Sequence, residues 1–186
     1  MMKKLVLIAM ALFLLQAPAL AKEIGGVKLP DTLAAGKDNL VLNGAGLRKK
    51  AFFKVYAGGL YLKQKSSDSA KIIAADEAMA IRMHWIRDVA GKKIVKGWTE
   101  GFANATGKNT APIAESIKTF NSWFEEGVKK NGVHDIIYVP KKGLSLYTNG
   151  QEKGTLTGLE FKKAVFGIWL GTKVSVPKLK KAMLGN

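Results

Sequence analysis

The spacing of apolar residues changes along the chain, and this change limits the folds that are open to it. Residues 78–89 alternate between apolar and polar side chains, which predicts a half-buried strand. Residues 92–106 then carry apolar side chains at steps of four, which predicts a helix in which Gly97 and Gly101 permit close packing. Strands, then helices, then strands and helices again are typical of the α+β class, with an antiparallel sheet covered by helices on one face.

The longest predicted helix covers residues 110–130. Thr110 is a suitable cap, Pro112 suits the first turn, and an apolar stripe runs from Ile113 to Val128. The remaining predictions are a meander of short strands over residues 134–158 with a turn at Asn149-Gly150, and two closing helices over residues 159–171 and 176–184.

The first 21 residues have the pattern of a signal peptide. Two lysines precede an apolar run over residues 5–15, and Ala19-Leu20-Ala21 fits a signal-peptidase site. The apolar run is shorter than the about 20 residues that a membrane-spanning helix needs. We therefore expect residues 1–21 to be a cleaved signal peptide and residues 22–186 to form a single domain in the bacterial periplasm.

The net charge of the chain restricts its partners. The formal charge is +16, and the chain has no cysteine, which excludes disulfides and thiolate metal sites. An exported protein rarely meets nucleic acid. The charge therefore favours a small acidic molecule or an anionic membrane surface as partner, and no nucleic acid is expected.

The stretch "NGAGLRKKAFFKVYAGGLYL", residues 43–62, combines two glycine clusters with basic and aromatic residues. A dinucleotide-binding fingerprint needs a third glycine and a helix directly after it. Here Arg48 leads into a run rich in aromatic and β-branched residues, so nucleotide binding is excluded. The stretch instead predicts two strands whose glycines mark bulges or close backbone approaches.

Two histidines are the only candidate nitrogen ligands of a metal. His84 and His134 lie far apart in the sequence and lack the paired spacing of a zinc site, so no metal site is predicted. His84 on its strand is a candidate axial ligand of haem. A polar-face residue bonded to a neighbour is the alternative for His84.

Arg48 and Tyr56 are the best candidates for recognising an anion. An arginine presents a fork of donors that suits a carboxylate, and a tyrosine hydroxyl can donate a second hydrogen bond to the same anion. Along one extended strand the two residues would lie roughly 26 Å apart. A shared site therefore requires a chain reversal near Lys49-Lys50-Ala51; without it, Arg48 is a surface-turn residue and Tyr56 a residue of the core rim.

Three segments in the same order resemble the chalcone isomerase-like family. These are "LNGAGLRKKAFFKVYAGGLYL", "MHWIRDVAGKKIVKGWTEGF" and "AVFGIWLGTKVSVPKLKKAML". The resemblance implies an open-faced β-sandwich, in which helices back a large antiparallel sheet and a ligand cleft lies between them. The fold hosts isomerases, fatty-acid binders and haem-binding relatives.

The resemblance also assigns roles to individual residues. Arg48 matches the arginine of the isomerases, but Ile94, Gly101 and Ile168 stand where those enzymes carry polar residues. This implies a non-catalytic member without a cofactor, which binds a small amphipathic carboxylate such as a fatty acid. Its expected site consists of two polar anchors and three apolar wall residues: Arg48, Tyr56, Ile94, Trp98 and Ile168. The alternatives are a haem-binding member that uses His84 and an intramolecular lyase that uses Arg48 to stabilise an oxyanion.

Overall fold

The structure is a computed structural model that describes residues 22–186, and the predicted signal peptide lies outside the described residues. The strands are β1 (Lys22–Ile24), β2 (Val27–Leu29), β3 (Thr32–Ala35), β4 (Asp38–Lys50), β5 (Phe53–Leu62), β6 (Met79–Trp85), β7 (Val133–Val139), β8 (Gly143–Thr148) and β9 (Gln151–Leu156). The helices are α1 (Ser69–Ala74), α2 (Gly91–Ala105), α3 (Ala114–Ser122), α4 (Leu159–Leu170) and α5 (Pro177–Met183), and a 3-10 turn at Ala111–Ile113 precedes α3. None of the helices within residues 22–186 combines the length and apolar character needed to cross a bilayer.

Strands β3 to β9 form one seven-stranded antiparallel sheet, in which neighbours in the chain are neighbours in the sheet. Helix α5 packs on β4 and β5, α4 packs on β8, and α2 packs on α4. This confirms the predicted α+β fold with a large antiparallel sheet backed by helices. The turn predicted at Asn149-Gly150 joins β8 to β9, and both residues have the positive φ of a tight hairpin turn, 51° and 83°.

The sheet buries apolar side chains on both faces. The main core lies under the helices, where Met83 and Trp85 of β6 meet the aromatic residues of α2 and α4. A smaller core on the outer face includes Tyr61 of β5 and Leu29 of the separate β1–β2 hairpin, which covers this side of β4 and β5. The alternation predicted for residues 78–89 therefore separates the main core from an outer face that is buried at Ala78 and Ala80 and partly exposed at Arg82 and His84.

The first glycine cluster of residues 43–62 lies directly beneath helix α5. A Cβ atom on Gly44 would lie 2.2 Å from the carbonyl oxygen of Ala182, and one on Gly46 would lie 2.7 Å from the Ala182 methyl group. The neighbouring Asn43 amide donates to the carbonyl oxygen of Met183 at 2.8 Å. These glycines therefore serve a close backbone approach, as predicted, but the approaching element is the C-terminal helix and not another strand.

The helix predicted over residues 110–130 is wrong in length. The chain forms the 3-10 turn and α3, which ends at Ser122, and Thr110 makes no capping hydrogen bond with its side chain. Gly127 has a φ of +80°, and Val128 then pairs with Val89 in an isolated antiparallel bridge. The apolar stripe continues past the helix, since Val128 belongs to the main core although it lies in this bridge and not in α3.

The glycines of α2 do not share one role. A Cβ atom on Gly101 would lie 2.9 Å from Cγ2 of Ile168, so Gly101 permits the close approach of α4. Gly97 has no atom within 4 Å of such a Cβ, so the predicted close packing at Gly97 is wrong.

The same substitution should therefore have opposite effects at two glycines. We expect Gly44→Ala to lower the free energy of unfolding by about 1–3 kcal/mol, because the new methyl group meets backbone atoms that cannot rotate away. We expect Gly97→Ala to raise it by about 0.5–1 kcal/mol, because alanine is the better helix former. Urea unfolding of the two variants and the parent measures both values. A Gly44→Ala variant as stable as the parent would contradict the direct seating of α5 on β4.

Candidate ligand-binding cleft

The chain reverses between β4 and β5, as a shared site for Arg48 and Tyr56 requires. Ala51 has a φ of 51°, and the turn at Ala51-Phe52 brings Arg48 directly opposite Tyr56 in the antiparallel register. Opposed residues of an antiparallel pair have Cβ atoms about 4.5–5.5 Å apart on the same face of the sheet. The two side chains therefore share the face that the helices cover.

A cleft of about 690 Å³ lies at this end of the sheet, between the β4–β5 and β6 strand ends and the helices α2, α4 and α5. All five residues predicted for the site line the cleft: Arg48, Tyr56, Ile94, Trp98 and Ile168. Among the lining residues that were not predicted, Trp85 and Trp169 contact Tyr56 directly. Trp85 could have been found from the strand register, because it lies directly opposite Tyr56 on β6. Trp169 had a weaker signal, its position four residues after the buried Val165 on α4.

Tyr56 is held in place by two indole rings. The Nε1–H group of Trp169 donates to the Tyr56 hydroxyl at 2.8 Å, and the Trp85 ring packs edge-on at a centroid distance of 5.1 Å. Burial raises the pKa of Tyr56 above its ordinary value, and the Arg48 charge and the Trp169 hydrogen bond offset this only in part. The hydroxyl is therefore protonated at neutral pH. Within residues 22–186 its own proton has no acceptor, so it remains available to a ligand.

Arg48 is half-buried at the cleft and has no counter-ion among residues 22–186. No carboxylate among the described residues lies within 4.0 Å of its guanidinium group. Arg82 on the outer face offers a contrast, because it binds Asp135 with two hydrogen bonds of 2.6 and 2.7 Å. An arginine fork without a partner, next to a free hydroxyl proton, is a pair of donors suited to an anion.

The cleft walls are mainly apolar and its rim is basic. Ile94 and Trp98 are each 6% exposed, and Trp98 packs edge-on against Trp169. The basic residues of the lining, besides Arg48, are Lys50, Arg87, Lys93 and Lys96, against the acidic Asp88 and Glu100. Both acids are paired with lysines, Asp88 with Lys129 and Glu100 with Lys96. The net potential at the mouth is therefore positive, and it attracts anions.

The structure does not bring His84 to this cleft. His84 lies opposite Ala57 on the outer face of the sheet, and burial together with the Arg82 charge lowers its pKa. His134 lies in the helix-side core, where its Nδ1 atom accepts a hydrogen bond of 3.0 Å from Nε1 of Trp85. Burial lowers the pKa of His134 to about 4. No group of three metal-ligating side chains occurs in the described part of the chain.

Comparisons with known proteins identify one family and one shared fold. The model of the family described as chalcone isomerase-like matches residues 21–185. A solved fatty-acid binding protein of Arabidopsis thaliana superposes with a TM-score of 0.71 at 20% sequence identity, over 86% of this chain and 92% of the Arabidopsis chain. Among curated proteins, none matches this chain by sequence. The structural likeness shows a shared fold.

The hydrogen bond that positions Tyr56 can be tested without any ligand. We expect Tyr56→Phe and Trp169→Phe each to lower the free energy of unfolding by about 1–3 kcal/mol, because each leaves a buried polar group unpaired. The double variant should lower the free energy of unfolding by about 1 kcal/mol less than the sum of the two single effects, because both single variants remove the same interaction. The control pairs Trp169→Phe with Tyr61→Phe, whose hydroxyl bonds to the Pro30 carbonyl. If the effects of Tyr56→Phe and Trp169→Phe simply added, the hydrogen bond between these two residues would be contradicted.

His134 should make stability depend on pH. Its pKa is about 4 in the folded protein against an ordinary 6.5, so between these values the unfolded chain binds a proton that the folded chain does not. The free energy of unfolding should therefore decrease as pH falls from 6.5 to 4. Urea unfolding at several pH values should show a smaller decrease for His134→Gln, which cannot titrate. Equal decreases in variant and parent would show that other groups are responsible.

Proposed function

The chain belongs to the chalcone isomerase-like family, and we propose that it binds a small amphipathic carboxylate, such as a fatty acid, in the cleft between sheet and helices. The single observation that carries this proposal is the pairing of Arg48, which has no carboxylate partner within residues 22–186, with the available hydroxyl proton of Tyr56. Both groups are donors, so the complementary ligand group is an acceptor with negative charge.

The head group of the ligand lies between the two anchors. The guanidinium fork of Arg48 holds both oxygens of a carboxylate, and the Tyr56 hydroxyl donates to one of them. Trp169 fixes the Tyr56 oxygen before the ligand arrives, so little conformational freedom is lost on binding. The basic rim adds a longer-range attraction for the anion.

The tail of the ligand lies along the apolar wall. Ile94 and Trp98 of α2 and Ile168 of α4 line the cleft, and Ile94 and Trp98 are almost fully buried. Each methylene that leaves water contributes about 0.8 kcal/mol. The fatty-acid binding protein of Arabidopsis thaliana, which has the same fold, supports this choice of ligand.

The proposal includes a location and a partner. The signal peptide predicted in residues 1–21 supports the periplasm, and the charge of +16 supports contact with an anionic membrane surface rather than nucleic acid. Binding needs no cofactor in this proposal, because His84 lies on the opposite face of the sheet from the cleft. Haem binding through His84 and an isomerase reaction at Arg48 stay predictions.

Replacing the arginine should weaken binding of the acid and not of its alcohol. We expect Arg48→Ala to raise the Kd for palmitate about 10- to 100-fold, because one charged hydrogen-bond partner is lost. The Kd for hexadecanol, which has the same tail, should change little. Trp85, Trp98 and Trp169 line the cleft, so quenching of tryptophan fluorescence reports binding.

Two further variants complete this experiment. Tyr56→Phe should weaken palmitate binding less than Arg48→Ala, because it removes a neutral donor. Lys65→Ala removes one positive charge at an exposed position beyond the other end of β5 and should leave the Kd unchanged. Equal affinity of the parent and Arg48→Ala for palmitate would exclude Arg48 as the anchor.

A further inference from the structure

The β4–β5 hairpin ends in two exposed aromatic residues. Phe52 is 99% exposed and Phe53 is 61% exposed, and no other large hydrophobic residue among residues 22–186 is exposed to this degree. Burying such a side chain is favourable, and this protein leaves two of them in water at one turn. A partner that buries both rings would therefore be bound favourably.

Positive charge surrounds these two rings. Lys49, Lys50 and Lys54 flank them, and residues 43–62 contain no acidic residue. The guanidinium group of Arg87 lies 4.7 Å from the ring centroid of Phe53. We call residues 49–54 the hairpin tip. A complementary partner has an apolar interior, which can bury the rings, and a negatively charged surface, which attracts the lysines.

We propose that the hairpin tip docks the protein on an anionic lipid bilayer, with Phe52 and Phe53 inserted at the level of the head groups. Two phenylalanines present about 300–500 Å² together, which is less than the about 800 Å² that each partner gives to a stable protein interface. A bilayer requires no shape complementarity, and each lysine near an anionic surface adds to the attraction. Charge and size therefore favour a membrane over a protein as the partner.

Docking at the tip places the cleft mouth against the lipid. Lys50 and Phe53 belong both to the tip and to the cleft lining, and Arg48 lies two residues before Lys50 on β4. An amphipathic acid can then pass between the bilayer and the cleft without entering bulk water. The docking deepens the membrane contact of the proposed function by naming the surface that makes it, and the transfer rests on the ligand proposed for the cleft.

Vesicle co-sedimentation tests the docking. The probes are vesicles of phosphatidylcholine alone and of phosphatidylcholine mixed with phosphatidylglycerol. We expect the parent to bind the mixed vesicles, Phe52→Ser/Phe53→Ser to bind at least tenfold more weakly, and Lys49→Ala/Lys50→Ala to bind severalfold more weakly. The matched control is Lys37→Ala/Lys65→Ala, which removes the same charge from exposed positions beyond the opposite ends of β4 and β5 and should bind like the parent.

Insertion has its own readout. A Phe52→Trp variant should be quenched by brominated acyl chains in mixed vesicles, beyond any quenching of the parent. Absence of this extra quenching, or equal vesicle binding by the parent and Phe52→Ser/Phe53→Ser, overturns the proposal. A change of oligomeric state in Phe52→Ser/Phe53→Ser without a change in vesicle binding also overturns it, since the partner is then a second copy of the chain.

The experiments can contradict the membrane docking and the ligand site independently of each other. Phe52 is not part of the cleft lining, so Phe52→Ser should bind palmitate in solution as the parent does while binding vesicles more weakly. Arg48→Ala should show the reverse, weak palmitate binding with vesicle binding that falls no further than in a one-lysine control such as Lys65→Ala. Loss of both properties in Phe52→Ser, in a variant whose urea unfolding matches the parent, would overturn the separation of tip and cleft.

Discussion

The antiparallel pairing of β4 with β5 is the constraint on which the rest of the structure depends. Its register sets Arg48 opposite Tyr56 and Gly46 opposite Gly58, so one pairing fixes both the anchors of the cleft and the floor on which α5 lies. A slip of one residue would turn every side chain of one strand to the other face. The glycines oppose such a slip, because α5 can lie this close only on a strand without Cβ atoms there.

Most buried polar groups near the cleft have a hydrogen-bond partner, but Nε1 of Trp98 has none among the described residues. Trp85 donates to His134, and Trp169 donates to Tyr56. On the outer face Asp135 satisfies Arg82. Arg48 departs from this pattern, although placing a charge in a half-buried position without a partner costs stability. Such a cost is typical of binding sites, where a ligand supplies the missing partner.

Local patterns in the sequence predicted the sheet, and the family resemblance predicted the residues of the cleft, but neither revealed what depends on contacts between distant segments. Apolar alternation located β6, and the family resemblance together with the required reversal brought Arg48 to Tyr56. The chain leaves α3 after Ser122 and then pairs Val128 with Val89, a long-range pairing that no local pattern reveals. Lys162 also escaped prediction: it is fully buried, its Nζ atom donates to three carbonyl oxygens at the end of α1, and burial lowers its pKa to about 8.

The position of the charges matters more here than their sum. At physiological ionic strength exposed charges act over about 8 Å, so most of the +16 net charge has no effect on a ligand in the cleft. The hairpin tip and the cleft rim are different, because the basic residues there lie beside one opening, and the two acidic residues of the rim are already paired. A single basic opening can therefore attract both an anionic surface and an anionic head group. The exposed rings of Phe52 and Phe53 then distinguish a membrane from a soluble anion, since only the membrane can bury them.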